Sequence, residues 1–159
     1  MLHIAKALSY LESADIIHTE VSARNVLMKG DTAKLSGFGH AMMSGQKPDE
    51  SVKEISRRWN APEVMKRREY SFASDIWSFG VLFWEVMNYG QIPYGYMSEQ
   101  EIEEYVTGGG RLVSKGFETH NVLMRRCWKA DPRERTTSRD IVAELQSRIQ
   151  SSSKLDLSE

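Results

Sequence analysis

The chain has 159 residues, 40% of them hydrophobic and 27% charged, which is enough apolar material for the core of one domain and too little length for two ordinary ones. Lysine and arginine total 21 and aspartate and glutamate total 22, and the resulting net charge of −1 argues against a protein that binds nucleic acid through a basic surface. The single cysteine, Cys127, excludes an internal disulfide, a zinc ribbon and an iron–sulfur cluster built from this chain.

The first third of the chain combines helical and extended patterns. Apolar residues recur with helical spacing near the N-terminus and predict an amphipathic helix over residues 2–12. Two short apolar runs, 26–28 and 33–35, flank a Lys-Gly-Asp turn and predict a β-hairpin. Residues 40–58 are polar and predict a long mobile loop, a feature that is usually functional or disordered in a compact domain.

Helical patterns dominate the rest of the chain. From Ser74 to Met87 apolar residues cover nearly every side of the predicted helix, as in helices buried at the centre of a domain, and Gly90 is placed to end it. A Ser-Glu-Gln-Glu capping box at 98–101 begins the next helix, which ends at three consecutive glycines. Two further helices are predicted over 118–128 and 138–149.

The predicted architecture is a mostly α domain over residues 1–149, with a small β-hairpin beside one long loop. The serine-rich end of the chain, residues 150–159, has no apolar face and is predicted to be a disordered tail.

Three motifs in the first half of the chain occur in the order in which protein kinases have them. His-Thr-Glu-Val-Ser-Ala-Arg-Asn at 18–25 resembles the kinase catalytic loop, and Lys-Leu-Ser-Gly-Phe-Gly at 34–39 resembles the strand that leads into the Asp-Phe-Gly motif. Ala-Pro-Glu at 61–63 matches the motif that closes the kinase activation segment. Each match alone is weak evidence for a kinase. Their occurrence in the order found in kinases is much stronger evidence.

Two further motifs follow in the second half. Asp-Ile-Trp-Ser-Phe-Gly at 75–80 resembles the start of the buried central helix of the kinase fold. Cys-Trp-Lys-Ala-Asp-Pro at 127–132, followed by Arg135, is similar to a signature near the end of tyrosine kinases, and Ser-Ala-Arg-Asn at 22–25 also favours that subtype. The chain is thus identified as a member of the protein tyrosine kinase family, and the resemblance, over residues 2–149, implies the helical C-terminal lobe of the kinase fold.

The N-terminal lobe of the family has no counterpart in the 159 residues. That lobe carries a Gly-rich loop over the ATP phosphates, a strand lysine and a helix glutamate that holds the lysine. The resemblance therefore implies a C-terminal lobe alone, either as a fragment of a longer protein or as an isolated lobe.

The resemblance assigns catalytic positions to Glu20, Arg24 and Asn25. Glu20 lies where the family has the aspartate that accepts the substrate hydroxyl proton, but it is one methylene longer, and a misplacement of about 1 Å can cost about a hundredfold in rate. Asn25 matches the amide that binds one Mg²⁺, and together with Leu27, which matches the floor of the adenine pocket, it would bind the cofactor. Without the resemblance, Glu20 is a solvated carboxylate, Arg24 a surface cation and Asn25 a turn residue.

Two departures from the family pattern predict impaired catalysis. Gly37 replaces the metal-binding aspartate of Asp-Phe-Gly, so one metal has lost its anionic ligand. Thr19 replaces the arginine that pairs with a phosphorylated residue of the activation segment, and residues 40–58 contain no tyrosine. These losses agree with each other and are typical of pseudokinases.

The scaffold positions of the family are retained. His18 and Phe38 match two residues that pack beneath the active site, and Asp75 matches an aspartate that accepts hydrogen bonds from the catalytic-loop backbone. The resemblance also implies a buried ion pair between Glu63 and Arg135.

Three hypotheses about function remain open on the sequence. The first is a protein-interaction module, a pseudokinase lobe that binds signalling proteins, and Gly37 and Thr19 favour it. The second is a tyrosine kinase that transfers the ATP γ-phosphate to protein tyrosine when joined to an N-terminal lobe. The third, compatible with both, is a sequence cut from a longer protein.

Cofactors and location follow from these hypotheses. No cofactor is expected for this chain, and ATP with Mg²⁺ is expected only if a complete domain retains activity. The most apolar stretch, residues 79–86, is far shorter than the ~20 residues of a membrane span, and no signal-peptide pattern is present. We therefore expect a cytoplasmic protein, or the cytoplasmic part of a larger one, with no membrane contact from this segment and no nucleic-acid partner.

Overall fold

The structure is a computed structural model that describes residues 1–49, 55–114 and 118–155. The described residues form six α-helices and four short β-strands, joined in places by 3₁₀ turns. In chain order these are α1 (Leu2–Ser13), β1 (Ile16–Ile17), β2 (Val26–Lys29), β3 (Thr32–Leu35), β4 (Met42–Met43), α2 (Pro62–Arg67), α3 (Phe72–Met87), α4 (Glu99–Thr107), α5 (Glu118–Cys127) and α6 (Ser138–Leu155). The predicted fold class, mostly α with a small hairpin, is confirmed.

Helix α3 forms the centre of the lobe. Every residue from Ser74 to Glu85 is buried, as the uniformly apolar pattern predicts. The helix begins two residues earlier than predicted, because Ser71 and Ser74 form a capping box in which each side chain bonds the backbone of the other. Gly80 allows the end of α5 to approach, since a Cβ there would lie 2.8 Å from the Cys127 Cβ and 2.6 Å from the indole nitrogen of Trp128, the next residue. Helix α3 therefore supplies a rigid base for the loops that pack on it.

Two small antiparallel sheets lie beside the helices. Strands β2 and β3 form the predicted hairpin, with Val26 opposite Leu35. Strands β1 and β4 pair through Ile16 with Met43 and Ile17 with Met42. Strand β4 lies within the predicted loop over 40–58, so the prediction of one continuous loop is wrong at this point. A strand of two residues is too short to produce a periodic pattern. Residues 50–54 of that loop lie outside the described residues.

Two helices differ from the predictions. Helix α2 was not predicted, because its six residues are too few to show helical periodicity. Helix α6 continues six residues past its predicted end at Ile149, so the predicted tail is helical up to Leu155, and residues 156–159 lie outside the described residues. Extending an existing helix costs less free energy than starting one, which explains how the helix continues without an apolar face. Among the described helices, none is long and apolar enough to span a bilayer.

Candidate active site

Asp75 of helix α3 holds the loop that contains the predicted catalytic residues. Its Oδ2 accepts a hydrogen bond from the His18 amide at 2.7 Å, and its Oδ1 accepts one from the Thr19 amide at 2.9 Å. Thr19 has φ +72°, a conformation that is unfavourable for a β-branched residue, so the contact with Asp75 supports a strained turn. Burial raises the pKa of Asp75 to about 7, against the opposite effect of the two backbone hydrogen bonds.

His18 connects this loop to the end of β3. Its Nε2 lies 2.8 Å from the Ser36 carbonyl, and because a carbonyl only accepts, Nε2 carries the proton. Its Nδ1 is then free to accept the Glu20 amide at 3.2 Å. The ring meets Phe38 edge-on, with centroids 4.8 Å apart. Burial lowers the pKa of His18, which agrees with a neutral imidazole in this position.

Glu20 and Arg24 face each other at the surface of the loop. Their charged groups are 3.7 Å apart, with about a third of the Glu20 side chain and half of the Arg24 side chain exposed. The Arg24 guanidinium also lies 5.0 Å from the centroid of the Trp59 ring. An exposed ion pair of this kind contributes little stability.

A cleft of about 320 Å³ opens between this loop and residues 39–49 and 55–60. Glu20 and Arg24 line it, together with residues from the segment that includes β4 and with Tyr70. Leu27 and Phe38 do not line the cleft and are roughly half exposed, at 59% and 48%. The structure thus separates the predicted catalytic pair from the predicted adenine-pocket residue.

Asn25 and Gly37, the two residues that the resemblance assigns to the metal position, lie next to each other. The Asn25 amide donates to the Glu20 carbonyl at 2.7 Å. Gly37 has φ +81°, and a Cβ built on it would lie 2.5 Å from Cγ and Oδ1 of Asn25. No group of three or more His, Cys, Asp or Glu side chains that could hold a metal exists among the described residues. At this position Asn25 offers an amide oxygen and Gly37 offers no side-chain ligand.

Thr19 forms a hydrogen bond to the segment that matches the kinase activation segment. In the family an arginine at this position pairs with a phosphorylated residue of that segment. The Thr19 hydroxyl donates to the His40 carbonyl at 3.1 Å, two residues before β4. The Ser44 amide donates to the Asp15 carbonyl at 3.0 Å on the other side of the β1–β4 pair. Two hydrogen bonds between uncharged groups therefore hold the first part of this segment.

The end of the same segment is held by α4 and by the turn before it. The Arg57 amide and Nε donate to Glu99 and Glu103, each at 2.7 Å. The guanidinium of Arg58 donates to three backbone carbonyls of the turn before α4, those of Pro93, Gly95 and Met97. Residues 57–58 thus tie the cleft to α4 through charged hydrogen bonds.

The Glu63–Arg135 ion pair expected from the resemblance is present. Two nearly parallel hydrogen bonds of 2.6 and 2.8 Å join the guanidinium to the carboxylate, and both side chains are buried. Arg135 also donates to the carbonyls of Ala73 and Lys129 at 2.9 and 3.0 Å. The pair joins α2 to the turn before α6 and satisfies its remaining donors on backbone carbonyls.

Sequence reasoning missed Glu85. One of its carboxylate oxygens accepts the Ala23 amide at 3.0 Å and the Trp59 indole N–H at 2.8 Å, and its side chain is buried. It therefore joins the catalytic-loop region to the far end of the cleft. The signal was a carboxylate within the apolar run 79–87 of α3, because a buried charge requires partners.

Comparison with known proteins agrees with this geometry. The family described as protein tyrosine and serine/threonine kinase matches residues 1–145. The megakaryocyte-associated tyrosine-protein kinase of Mus musculus is 42% identical over 147 residues, which cover 91% of this chain and 29% of that kinase. The transforming protein Fps of avian sarcoma virus is 40% identical over 144 residues, covering 85% and 26%, and the tyrosine-protein kinase Fer of Mus musculus is 36% identical over 149 residues, covering 91% and 18%.

The chain thus spans less than a third of the length of each of these three relatives. The matched motifs lie on the described fold in the order and at the places expected for a helical kinase lobe. The chain belongs to the protein tyrosine and serine/threonine kinase family, and its relatives are tyrosine kinases.

Proposed function

We propose that this chain is a catalytically impaired tyrosine-kinase lobe that acts as a protein-interaction module. Gly37 carries the proposal, because a residue without a side chain stands where the family has a metal-binding carboxylate. Glu20 is paired with Arg24, and one carboxylate cannot serve both as the base and as the missing metal ligand.

Family membership supports signalling proteins as the partners and the cytoplasm as the location. The cleft beside Glu20 and the exposed apolar residues of the hairpin are the surfaces that a partner would use. In this proposal the chain needs no cofactor.

The test is a phosphotransfer assay on the full 159-residue chain with ATP, millimolar Mg²⁺ or Mn²⁺ and a tyrosine-containing polymer as acceptor. We expect no transfer above the blank, since positioning and charge stabilisation supply nearly all of kinase catalysis and both are reduced here. An active tyrosine kinase under the same conditions is the positive control. Transfer by the unmodified chain that disappears in Glu20→Ala would overturn the proposal.

The alternative function is a tyrosine kinase that acts when joined to an N-terminal lobe, and the retained Asp75–His18–Thr19 contacts favour it. It is tested by the same assay on a longer protein that includes such a lobe. Activity in that protein that requires Glu20 would favour this alternative over the interaction module.

A further inference from the structure

We propose that the turn between α3 and α4 and the adjoining exposed side of α4 form a docking surface for an arginine-rich segment of a partner protein. This tyrosine surface consists of exposed residues only: Tyr89, Ile92, Tyr96, Glu101, Glu104 and Tyr105. The inference rests on the proposed function, since it names a class of partner for the interaction module, and it adds a surface to the cleft and the hairpin.

The composition of residues 88–107 is the first observation. These residues contain four of the six tyrosines of the chain and four glutamates, but no lysine or arginine. Tyrosine is enriched at protein interfaces, because its ring covers a large area and loses little rotamer entropy on binding. Aromatic and acidic side chains are therefore concentrated in one part of the chain.

The turn presents its aromatic side chains on a fixed backbone. Tyr89 and Tyr96 are almost completely exposed. The Arg58 guanidinium donates to the Gly95 and Met97 carbonyls at 3.1 and 2.8 Å. These two carbonyls belong to the residues on either side of Tyr96. Because the backbone is already held, a partner that docks on this turn has few further groups to order.

Helix α4 continues the surface. Glu101, Glu104 and Tyr105 have the spacing i, i+3 and i+4, so they form a stripe on one side of the helix, and all three are exposed. The rings of Tyr105 and Tyr94 meet edge to face, with centroids 6.2 Å apart. Tyr94 belongs to the turn, so this contact places the stripe beside the turn.

Two of the four glutamates of α4 are neutralised within the chain. Glu99 and Glu103 form ion pairs with Arg58 and Arg57, at 3.6 and 2.7 Å. Arg111, which follows α4 after three glycines, is directed inward, and its guanidinium lies 4.7 Å from the centroid of a buried tryptophan ring. These three arginines are therefore engaged away from the stripe.

The two glutamates of the stripe have uncharged partners. The Glu101 carboxylate accepts the Ser98 amide and hydroxyl, both at 2.8 Å. The Glu104 carboxylate accepts the Gln100 side-chain amide at 3.0 Å. Both carboxylates thus keep their negative charge beside exposed tyrosine rings.

The sign of this charge and the rings together define the partner. A negative surface repels nucleic acid and anionic membranes and attracts a cationic protein segment. Arginine suits it better than lysine, because a planar guanidinium stacks on an aromatic ring while its N–H groups bond a carboxylate. Arg24 makes this combination within the chain, 3.7 Å from the Glu20 carboxylate and 5.0 Å from the centroid of the Trp59 ring.

The test is a titration of a fluorescently labelled peptide of alternating arginine and glycine with the full chain, followed by anisotropy and without ATP. We expect binding that weakens as the salt concentration rises, since the attraction is between exposed charges. The matching lysine peptide should bind more weakly, and a peptide with glutamine in place of arginine should not bind.

The aromatic part of the surface is tested with Tyr89→Asn/Tyr96→Ser. Asparagine tolerates the positive φ of residue 89, so the turn is preserved. We expect the affinity for the arginine peptide to fall about tenfold, as for the loss of two exposed cation–π contacts. Tyr10→Ser, at an exposed tyrosine of α1, is the matched control and should leave the affinity unchanged.

The acidic part is tested with Glu101→Gln/Glu104→Gln. Glutamine keeps the capping box at the start of α4, so Tm should not fall. We expect weaker binding and a smaller dependence on salt. The control is Glu69→Gln/Glu118→Gln, which removes the same charge from exposed positions outside the surface and should weaken binding less.

Equal binding of the arginine and glutamine peptides, or an affinity that the tyrosine variant leaves unchanged, would overturn the proposal. Self-association that the tyrosine variant abolishes, without binding of the arginine peptide, would make a second copy the occupant and the proposal wrong. Peptide binding and phosphotransfer are separate measurements. Failure of the docking surface therefore leaves the proposed loss of catalysis standing, and phosphotransfer activity would overturn the latter alone.

Discussion

His18 illustrates how a single side chain joins two segments through its protonation state. Its Nε2 donates to the Ser36 carbonyl and its Nδ1 accepts the Glu20 amide, an arrangement that only the neutral imidazole can make. A proton on Nδ1 would place two donors, this nitrogen and the Glu20 amide, opposite each other. The sequence identified His18 as a packing residue, whereas the two hydrogen bonds depend on the fold.

The pKa of His18 leads to a prediction about pH. Burial lowers it below the usual 6.5, so the unfolded chain takes up this proton first as the pH falls. The stability associated with neutral His18 is fully present above about pH 6.5 and is lost as the pH falls through that value toward the lower folded pKa. The Tm difference between wild type and His18→Gln should therefore shrink on acidification. Because the pKa of Asp75 is raised, its titration changes stability with pH in the opposite direction. Both proteins contain Asp75, so this contribution cancels in the Tm difference.

Titration of the imidazole by NMR checks the same prediction directly. We expect a value below 6.5 in the folded chain, because burial is the largest influence. A value above 6.5, or a Tm difference that grows on acidification, would contradict the neutral hydrogen-bonded ring.

Two buried carboxylates join elements that are distant in the chain. Glu63 links α2 to the turn before α6 through Arg135, and Glu85 of α3 links Ala23 to Trp59. Because each carboxylate is surrounded by donors, its removal leaves those donors buried without partners. These two residues therefore hold the helical frame and the cleft together.

Glu63→Gln should lower the free energy of unfolding by about 3 kcal/mol, since the Arg135 charge then remains buried without a counter-charge. The matched control is Glu69→Gln, which removes the carboxylate of an exposed pair with Arg67 and should leave stability unchanged. Denaturant unfolding of both variants measures the difference. Equal effects of the two substitutions would contradict a special role for the buried pair.

Glu85→Leu should destabilise the chain by about 1–3 kcal/mol, because the Ala23 amide and the Trp59 indole both lose their acceptor. Glu85→Gln keeps one carbonyl oxygen in the same place and should lose less. Amide hydrogen exchange at Ala23 reports the local effect and should become faster in the leucine variant. Unchanged exchange there would show that Glu85 does not hold the catalytic-loop region.

At the scale of the whole lobe, apolar residues are exposed on the hairpin and on the turn that follows it. Leu27 is 59% exposed, Met28 65% and Phe38 48%. The core behind them is continuous from α1 through α3 to α5. Exposed apolar residues close together mark interaction surfaces or promote aggregation.

We expect the chain to bind a hydrophobic dye and to self-associate as its concentration rises. Leu27→Lys/Met28→Lys should reduce both effects without lowering Tm, because these side chains are already in contact with solvent. Val122→Lys, at an exposed apolar residue of α5, is the control and should leave dye binding unchanged. A monodisperse monomer without dye binding would contradict this prediction.

Local patterns were enough to predict the family, the helical architecture and the hairpin. The uniformly apolar run of α3 and the capping box at Ser98 are encoded in neighbouring residues, so they are readable without the fold. The two-residue strand β4 and the six-residue helix α2 were not predictable in this way, because each is too short to show a period and forms through contacts with other elements.

The sequence by itself also determined that Gly37 and Thr19 depart from the kinase pattern, since the motif spacing places them. Which groups surround these positions was decided only by the tertiary structure. The Asn25 carboxamide lies within 2.8 Å of the place where a Gly37 Cβ would be, and the Thr19 hydroxyl donates to the His40 carbonyl. The Glu85 carboxylate accepts hydrogen bonds from two distant segments. The physical reason is that these contacts join residues that are 12 to 62 positions apart in the chain. Each contact forms only when the fold brings its two residues within a few ångströms, and no local sequence pattern encodes such distances.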